Sequence, residues 1–554
     1  MTLVVISGIK RSHFFLKEGV SHMILPGQKL INRLLTASKQ SEGVLMKRIG
    51  LIDIGSNTIR LVVFEYDSKT GLTEIQNIKT PARLSQYLED DLTMNDEGVH
   101  VLISALQSFK KVADEYKVDE LHPIATAAIR QSKNRDDILK QVKKKIGMKL
   151  SIVPELDEAY YGFYAIINST AIVDGLSVDI GGGSTEVTLF KGKEIIHSHS
   201  FPFGVVTLSR KFFEGKDHND KDAIKKMQKF LDKAFGSLDW INNQKVALVG
   251  VGGSARNVAR IHQSEVAYPI GGVHCYTMTG DDLNQVFDLI EDSSRDDLTN
   301  LDGLSRDRVD IILPAAAVFK ALFKQVDATQ FTFSRKGLRE GYVMYQLNQT
   351  IKDAFDRFNV RNRALYQLSN TYKHEGVGAK QRVVLAGDLL DQLKEQDIIK
   401  LSEKNQRLFK QAAYIYYLGR FIDADSASQH TYYIISNSMI DGFSHHDRVQ
   451  LALMASFKNK SLLKFYNDET GWLNSDQLSD LQSLGGILKF IDALNVSHTN
   501  PIKRIELVKN DKEHYTLNAY YTGHPIAEEY QANRQKKHLE KVLKGKVSIN
   551  FTKS

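Results

Sequence analysis

The residues best suited to chemistry in this sequence lie in one stretch, Val178-Asp179-Ile180-Gly181-Gly182-Gly183-Ser184-Thr185-Glu186, where a carboxylate precedes a run of glycines, two hydroxyls and a second carboxylate. Glycines let main-chain N–H groups approach an anion with no Cβ in the way, and Ser184 and Thr185 add hydroxyl donors. The stretch therefore reads as a phosphate-gripping hairpin. Asp179 and Glu186 would repel phosphate unless a divalent cation lay between them, so the expected chemistry is metal-assisted handling of a phosphorylated ligand. The alternative is an acidic strand turn with no ligand.

The stretch occurs twice. Leu51 to Phe64 superimposes without a gap on the segment ending at Phe190, with Asp53 falling on Asp179 and Gly55, Ser56, Asn57 and Thr58 forming the second phosphate turn. Arg60 stands where Glu186 stands. Such a duplication predicts two related subdomains facing each other across a cleft, one wall cationic and the other bearing metal.

Two further segments belong near that cleft. A strand over 246–251 runs into Gly252-Gly253-Ser254. Gly250, Gly252 and Ala255 fit a dinucleotide fingerprint, but the acid that such a site needs about 20 residues on is missing. Gly252, Gly253 and Ser254 are therefore read as a third phosphate contact. Pro123 to Arg130 reads as a strand running into a turn that ends on a cation, which sets Arg130, with Lys133 and Arg135, near the anion or on a solvated surface. Glu155, Asp157 and Glu158 open a helix, and three acids in four residues exceed what a cap needs.

The elements that must position these residues follow an α/β pattern. Strands are expected over 49–55 and 61–66, a helix from about Glu97 with apolar residues at helical spacing, a short strand at 152–153 before the acidic helix, a helix near 222–238, and a basic turn over 334–341 leading into another helix. From about 350 the pattern is helical, with a possible boundary at Gly376-Val377-Gly378. It closes with short strands over 504–508, 514–521 and 546–551 around a basic helix. The expected organisation is one subdomain over 47–163, its duplicate over 164–350, a helical domain over 351–500 and a small α+β domain over 501–554.

Composition bounds the rest. The chain has 554 residues, 42% hydrophobic and 25% charged, which suits several globular domains. The single cysteine, Cys275, excludes an internal disulfide and fits a reducing compartment. No run of about 18 apolar residues appears, so no membrane span is expected. A net charge of +7 permits a polyanionic ligand without requiring one. Residues 1–45 are expected to be a non-native or disordered extension. Met46-Lys47-Arg48 leads directly into the first strand as a natural start would, and Glu42-Gly43-Val44 can be encoded by a ribosome-binding sequence.

Taken together, Ile52-Asp53-Ile54-Gly55-Ser56-Asn57, Asp157-Glu158-Ala159, Val178 to Glu186 and Leu338-Arg339-Glu340-Gly341 resemble the exopolyphosphatase and guanosine pentaphosphate phosphohydrolase family of the actin-like ATPase superfamily. The resemblance implies an α/β fold of two actin-like (ribonuclease H-like) subdomains around a cleft. It implies Mg²⁺-dependent release of terminal orthophosphate from inorganic polyphosphate, or alternatively from guanosine pentaphosphate; the competing reading is a sensor that binds either without turnover, against which the retention of Glu158, Asp179 and Glu186 argues. It implies Glu158 as the base that activates water, Asp179 and Glu186 as the magnesium-associated acids, and the glycine loops with Arg130 as phosphate contacts. A cytoplasmic homodimer, with neither nucleic acid nor membrane as partner, is also implied.

The helical part resembles the metal-dependent HD phosphohydrolases at Gln429 to Ser438. It carries Tyr416-Tyr417 where relatives place a metal-binding pair, so no second metal site is expected there. That leaves the domain to bind a polyanion through lysines or to support a dimer. His445-His446-Asp447 reads as a helix start with two solvated histidines.

Overall fold

The computed structural model describes residues 46–374 and 376–554; the expectation for residues 1–45 lies outside them. Runs rich in Ile, Val, Leu and Phe suit pleated, doubly covered strands. They build a first sheet from β1 (Met46–Ile54), β2 (Ile59–Asp67), β3 (Gly71–Thr80), β4 (Glu120–Ala125) and β5 (Ser151–Ile152), in the order β3-β2-β1-β4-β5. A second sheet holds β6 (Gly175–Ile180), β7 (Thr185–Lys191), β8 (Glu194–Phe201), β9 (Ala247–Val251), β10 (Thr277–Met278) and β11 (Phe331–Ser334), in the order β10-β11-β9-β6-β7-β8.

In both sheets an antiparallel meander is followed by parallel strands, so β1-β2-β3-β4-β5 corresponds to β6-β7-β8-β9-β11, with β10 added at an edge. The duplication holds at the level of register: Asp53 pairs with Arg60 and Asp179 with Glu186. Both turns close alike, Gly55 N donating to Thr58 O at 3.0 Å and Gly181 N to Ser184 O at 2.9 Å.

Each lobe lends a helix to the other. The helix Glu155–Ser169 follows the first sheet but packs Phe163, Ile166 and Ile167 on Phe190, Val249 and Val251 of the second. The helix Leu338–Thr350 returns Val343, Met344 and Leu347 to Ile49, Leu51, Val62 and Phe64 of the first. They cross at Gly341, where an added Cβ would lie 1.8 Å from the Tyr161 carbonyl oxygen. The expected boundary between 163 and 164 thus falls inside a helix whose apolar face belongs to the second lobe.

The C-terminal part departs from the expected division. β12 (Ile502–Lys509), β13 (His514–Tyr521) and β14 (Lys546–Lys553) form a third sheet. Its Ile505, Leu517 and Val547 share one core with Leu385, Leu389, Phe409 and Leu488 of the helices. Residues 501–554 therefore close the helical core and do not form one of their own. Gly376 begins the helix Gly376–Glu395, where the glycines marked a possible boundary.

This module is fastened to the second lobe by polar contacts. Lys336 Nζ donates to Asp441 at 2.6 Å, Gly442 N to Ser169 O at 2.8 Å and Arg363 Nη2 to Asn168 O at 2.6 Å. His445, expected in solvent, is buried, with Nδ1 3.0 Å from the Tyr268 hydroxyl and Nε2 3.0 Å from His274 O. Its helix is capped by Ser444 as the pattern indicated, but a local pattern does not reveal the lobe that packs over the cap. Among the described residues no helix is long and apolar enough to cross a membrane.

Candidate active site

The strand ends of the two lobes face a cavity of about 270 Å³. One wall carries Asp53, Gly55, Ser56, Asn57, Thr58 and Arg60, the other Asp179, Gly181, Gly182, Gly183, Ser184, Gly252 and Gly253, and Glu158 also borders it. The position of each acid follows from the strand pairing. Residues directly opposed in an antiparallel pair point to one face, so Arg60 accompanies Asp53 and Glu186 accompanies Asp179.

Both turns aim their peptide groups in a definite direction. Val205 N donates to Gly181 O and Val206 N to Gly182 O, each at 3.0 Å, while Ser85 N donates to Ser56 O at 3.0 Å and Arg83 N to Asn57 O at 2.8 Å. In a trans peptide the N–H points opposite to its carbonyl. The N–H groups of Gly182 and Gly183, and of Asn57 and Thr58, therefore turn away from those contacts. The glycine requirement is clearest at Gly252, which has φ +84° and where a Cβ would stand 2.8 Å from Asp179 Oδ1.

Electrostatics divide the cavity into acids and cations held close together. Burial raises the carboxyl of Asp53, against the lowering influence of Arg339 and Arg60. Burial likewise pushes Asp179 up to about 6, with Asp53 adding to the effect. Glu158 and Glu186 are raised by burial and by neighbouring carboxylates, Glu186 acting on Glu158 and Asp179 on Glu186. Against them stand Arg60, Arg256, Arg308 and Arg339, drawn from both lobes onto the same cavity. Burial and mutual repulsion lower Arg60 and Arg256.

Several expected residues are placed otherwise. Thr185 is fully buried and donates its hydroxyl to Phe203 O at 2.7 Å, so it is part of the core. Ser254 is buried in the first turn of the helix Gly252–Glu265, 3.2 Å from Arg308 Nη1. Arg130 sits on the short helix Ala127–Gln131 and donates from Nη1 to Glu158 Oε2 and to Val153 O, each at 2.9 Å, so in this structure it grips the acid. Lys133 and Arg135 lie at the surface beside Asp91 and Asp136. Glu186 stands behind the wall and accepts from Ser200 Oγ at 3.0 Å.

Arg256 and Arg308 were not singled out by sequence reasoning. Arg256 carried a signal, a cation one turn into the helix that follows a glycine loop. Arg308 carried none, because it arrives from the turn Arg306–Arg308, remote in sequence from every motif.

Among the described residues no group of three or more His, Cys, Asp or Glu side chains forms a metal-ligand cluster. Asp179 and Glu186 nevertheless suit a hard cation, being enclosed oxygen donors set side by side, with Arg339 and Arg308 acting on Asp179 and Ser200 donating to Glu186. Mg²⁺ characteristically takes one or two carboxylates and completes its shell with water and phosphate oxygens.

Residues 62–350 match the sequence profile of the Ppx/GppA phosphatase family. The chain belongs to that family. Residues 360–530 match domain III of Ppx/GppA phosphatases, so the helical module is also a family feature. Exopolyphosphatase 1 of Mycobacterium tuberculosis is 27% identical over 307 residues, covering 54% of this chain and 88% of that protein, and the same figures hold for exopolyphosphatase 1 of Mycobacterium bovis. The crystal structure of the Aquifex aeolicus Ppx/GppA family member is 25% identical with a TM-score of 0.51, covering 56% of this chain and 100% of that one. The actin-like pair of lobes is thus the family's phosphatase fold.

Proposed function

We propose that this Ppx/GppA phosphatase is an exopolyphosphatase, hydrolysing the terminal phosphoanhydride bond of inorganic polyphosphate and releasing orthophosphate. The observation that carries the reading is the convergence of Arg60, Arg256, Arg308 and Arg339 from both lobes on a cavity bordered by Asp53, Glu158 and Asp179. Phosphoryl transfer to water needs charge neutralisation around the transferred group and a positioned nucleophile, and little covalent work from the protein.

Glu158 is the proposed general base. Its carboxylate is held by Arg130, and its raised proton affinity makes it a stronger base once ionised. The N–H groups of the two turns hold phosphate oxygens, and the arginines orient the remaining chain. Asp179 and Glu186 would hold Mg²⁺, which neutralises charge on the terminal phosphates when bound. The reading extends to a cytoplasmic homodimer, in keeping with the single cysteine and the resemblance already described.

The test is phosphate release with Mg²⁺ from long polyphosphate, short polyphosphate and guanosine pentaphosphate, for wild type and Glu158→Gln. Release from polyphosphate that falls by about 10²-fold or more in the variant supports the base. Equal rates remove Glu158 from that role. Release from guanosine pentaphosphate alone reverses the substrate assignment, and no release from any substrate favours binding without turnover.

A further inference from the structure

A second cavity, of about 210 Å³, opens in the helical module and shares no lining residue with the cleft. Its walls include Tyr372, Lys373, His374, Arg382, Arg420 and Phe421. Arg382 projects from the helix Gly376–Glu395 and is only 4% exposed. Its Nε donates to Asp492 Oδ1 at 3.3 Å, while Nη1 is buried with no hydrogen-bond partner. Arg420 donates from Nη2 to the other oxygen of the same carboxylate at 3.4 Å. Two guanidinium groups thus share one acid.

The surroundings hold these cations in place. Arg382 lies 5.8 Å from the ring centroid of Tyr416 and Arg420 lies 5.2 Å from that of Tyr417. The two tyrosines stack at 4.6 Å, and the Tyr416 hydroxyl donates to Phe457 O at 2.9 Å. Tyr416 and Tyr417 thus flank the two guanidinium groups. Burial, and after it the charges of Arg382 and Arg420, push His374 down to about 3. A buried guanidinium N–H without an acceptor is costly, and the two arginines that border the recess offer their charge to an anion within it. At the rim, half-exposed Phe421 meets Tyr372 edge-on at 5.7 Å and offers a free aromatic surface.

We propose that this recess binds a small phosphorylated anion, with the phosphate seated on Arg382 and Arg420. The ligand is inorganic phosphate or pyrophosphate, or the phosphate of a nucleotide whose base lies against Phe421. In either case the site is separate from the cleft between the lobes.

Phe421→Trp in the full chain provides an emission reporter at the rim, read against the parent protein, which has tryptophan only at Trp240 and Trp472. Titration without Mg²⁺, using orthophosphate, pyrophosphate and AMP, is expected to give a saturable change. Adding Arg420→Ala weakens that response by about tenfold or more, as loss of one charge-assisted hydrogen bond requires. An unchanged melting temperature confirms that this variant is folded; Arg420 sits at the rim, whereas buried Arg382 is a riskier substitution. Tighter binding of AMP than of orthophosphate identifies a nucleotide ligand, and equal or weaker binding identifies the inorganic anions. No saturable response to any of the three, or the same affinity after Arg420→Ala, overturns the proposal.

Discussion

Asp179 on β6 and Glu186 on β7 are directly opposed cross-strand partners, in the place where the duplicate hairpin sets Asp53 against Arg60. One hairpin is thus internally neutral, and the other carries two acids on one face. Opposed like charges weaken a sheet, and both acids are raised, chiefly by burial, Asp179 to about 6. A folded state that binds these protons more tightly than the unfolded chain loses stability as pH rises. The loss begins near the ordinary carboxylate value of about 4 and continues through the raised values. Metal-free protein is therefore expected to melt at progressively lower temperature across that window, with a shallower slope in Glu186→Gln. A flat profile in wild type would contradict the assignment.

Arg130 gives a second test through Glu158. Burial and Glu186 raise the Glu158 carboxyl, whereas the Arg130 hydrogen bond and charge hold it down. In Arg130→Met the acid therefore becomes weaker still, and the acid limb of kcat/KM is expected to move to higher pH with partial recovery under alkaline conditions. A uniform loss at every pH, with the limb unmoved, would assign Arg130 to phosphate contact instead.

Gly253 and Arg308 form a third pair. A methyl group on Gly253 would lie 2.1 Å from Arg308 Nη2, the far end of a flexible side chain. Gly253→Ala is expected to displace that guanidinium while changing stability by no more than about 0.5 kcal/mol. KM for polyphosphate should rise by about tenfold, as for Arg308→Ala. Because both changes act through one group, the double variant should be no worse than either single one, a non-additivity that steady-state kinetics can read.

The helix crossing supplies a structural test. At Gly341 the added methyl meets backbone, the Tyr161 carbonyl, and cannot be relieved by a rotamer change. Gly341→Ala is expected to cost about 3 kcal/mol or more, at or beyond the upper end for overpacking, measured as a lower denaturant midpoint. A midpoint equal to wild type would show that the helices can part without penalty.

The sequence by itself determined the duplicated hairpins, because a repeat of acid, small-residue turn and strand is local and its register follows from alternation. It determined Glu158 as an acid beyond the needs of a cap, and most helix and strand positions, because periodicity is a property of neighbouring residues. Only the tertiary structure decided which lobe owns each linker helix, since Phe163 and Val343 read as equally apolar whichever sheet receives them. It turned Thr185 into the core, set Arg130 on Glu158 and brought Arg308 to the cleft from a turn with no motif. It also buried His445 beneath another lobe and merged the last three strands into the helical core. In each case the deciding contact is made by residues far apart in the chain, and the local pattern carries no information about what will pack against it.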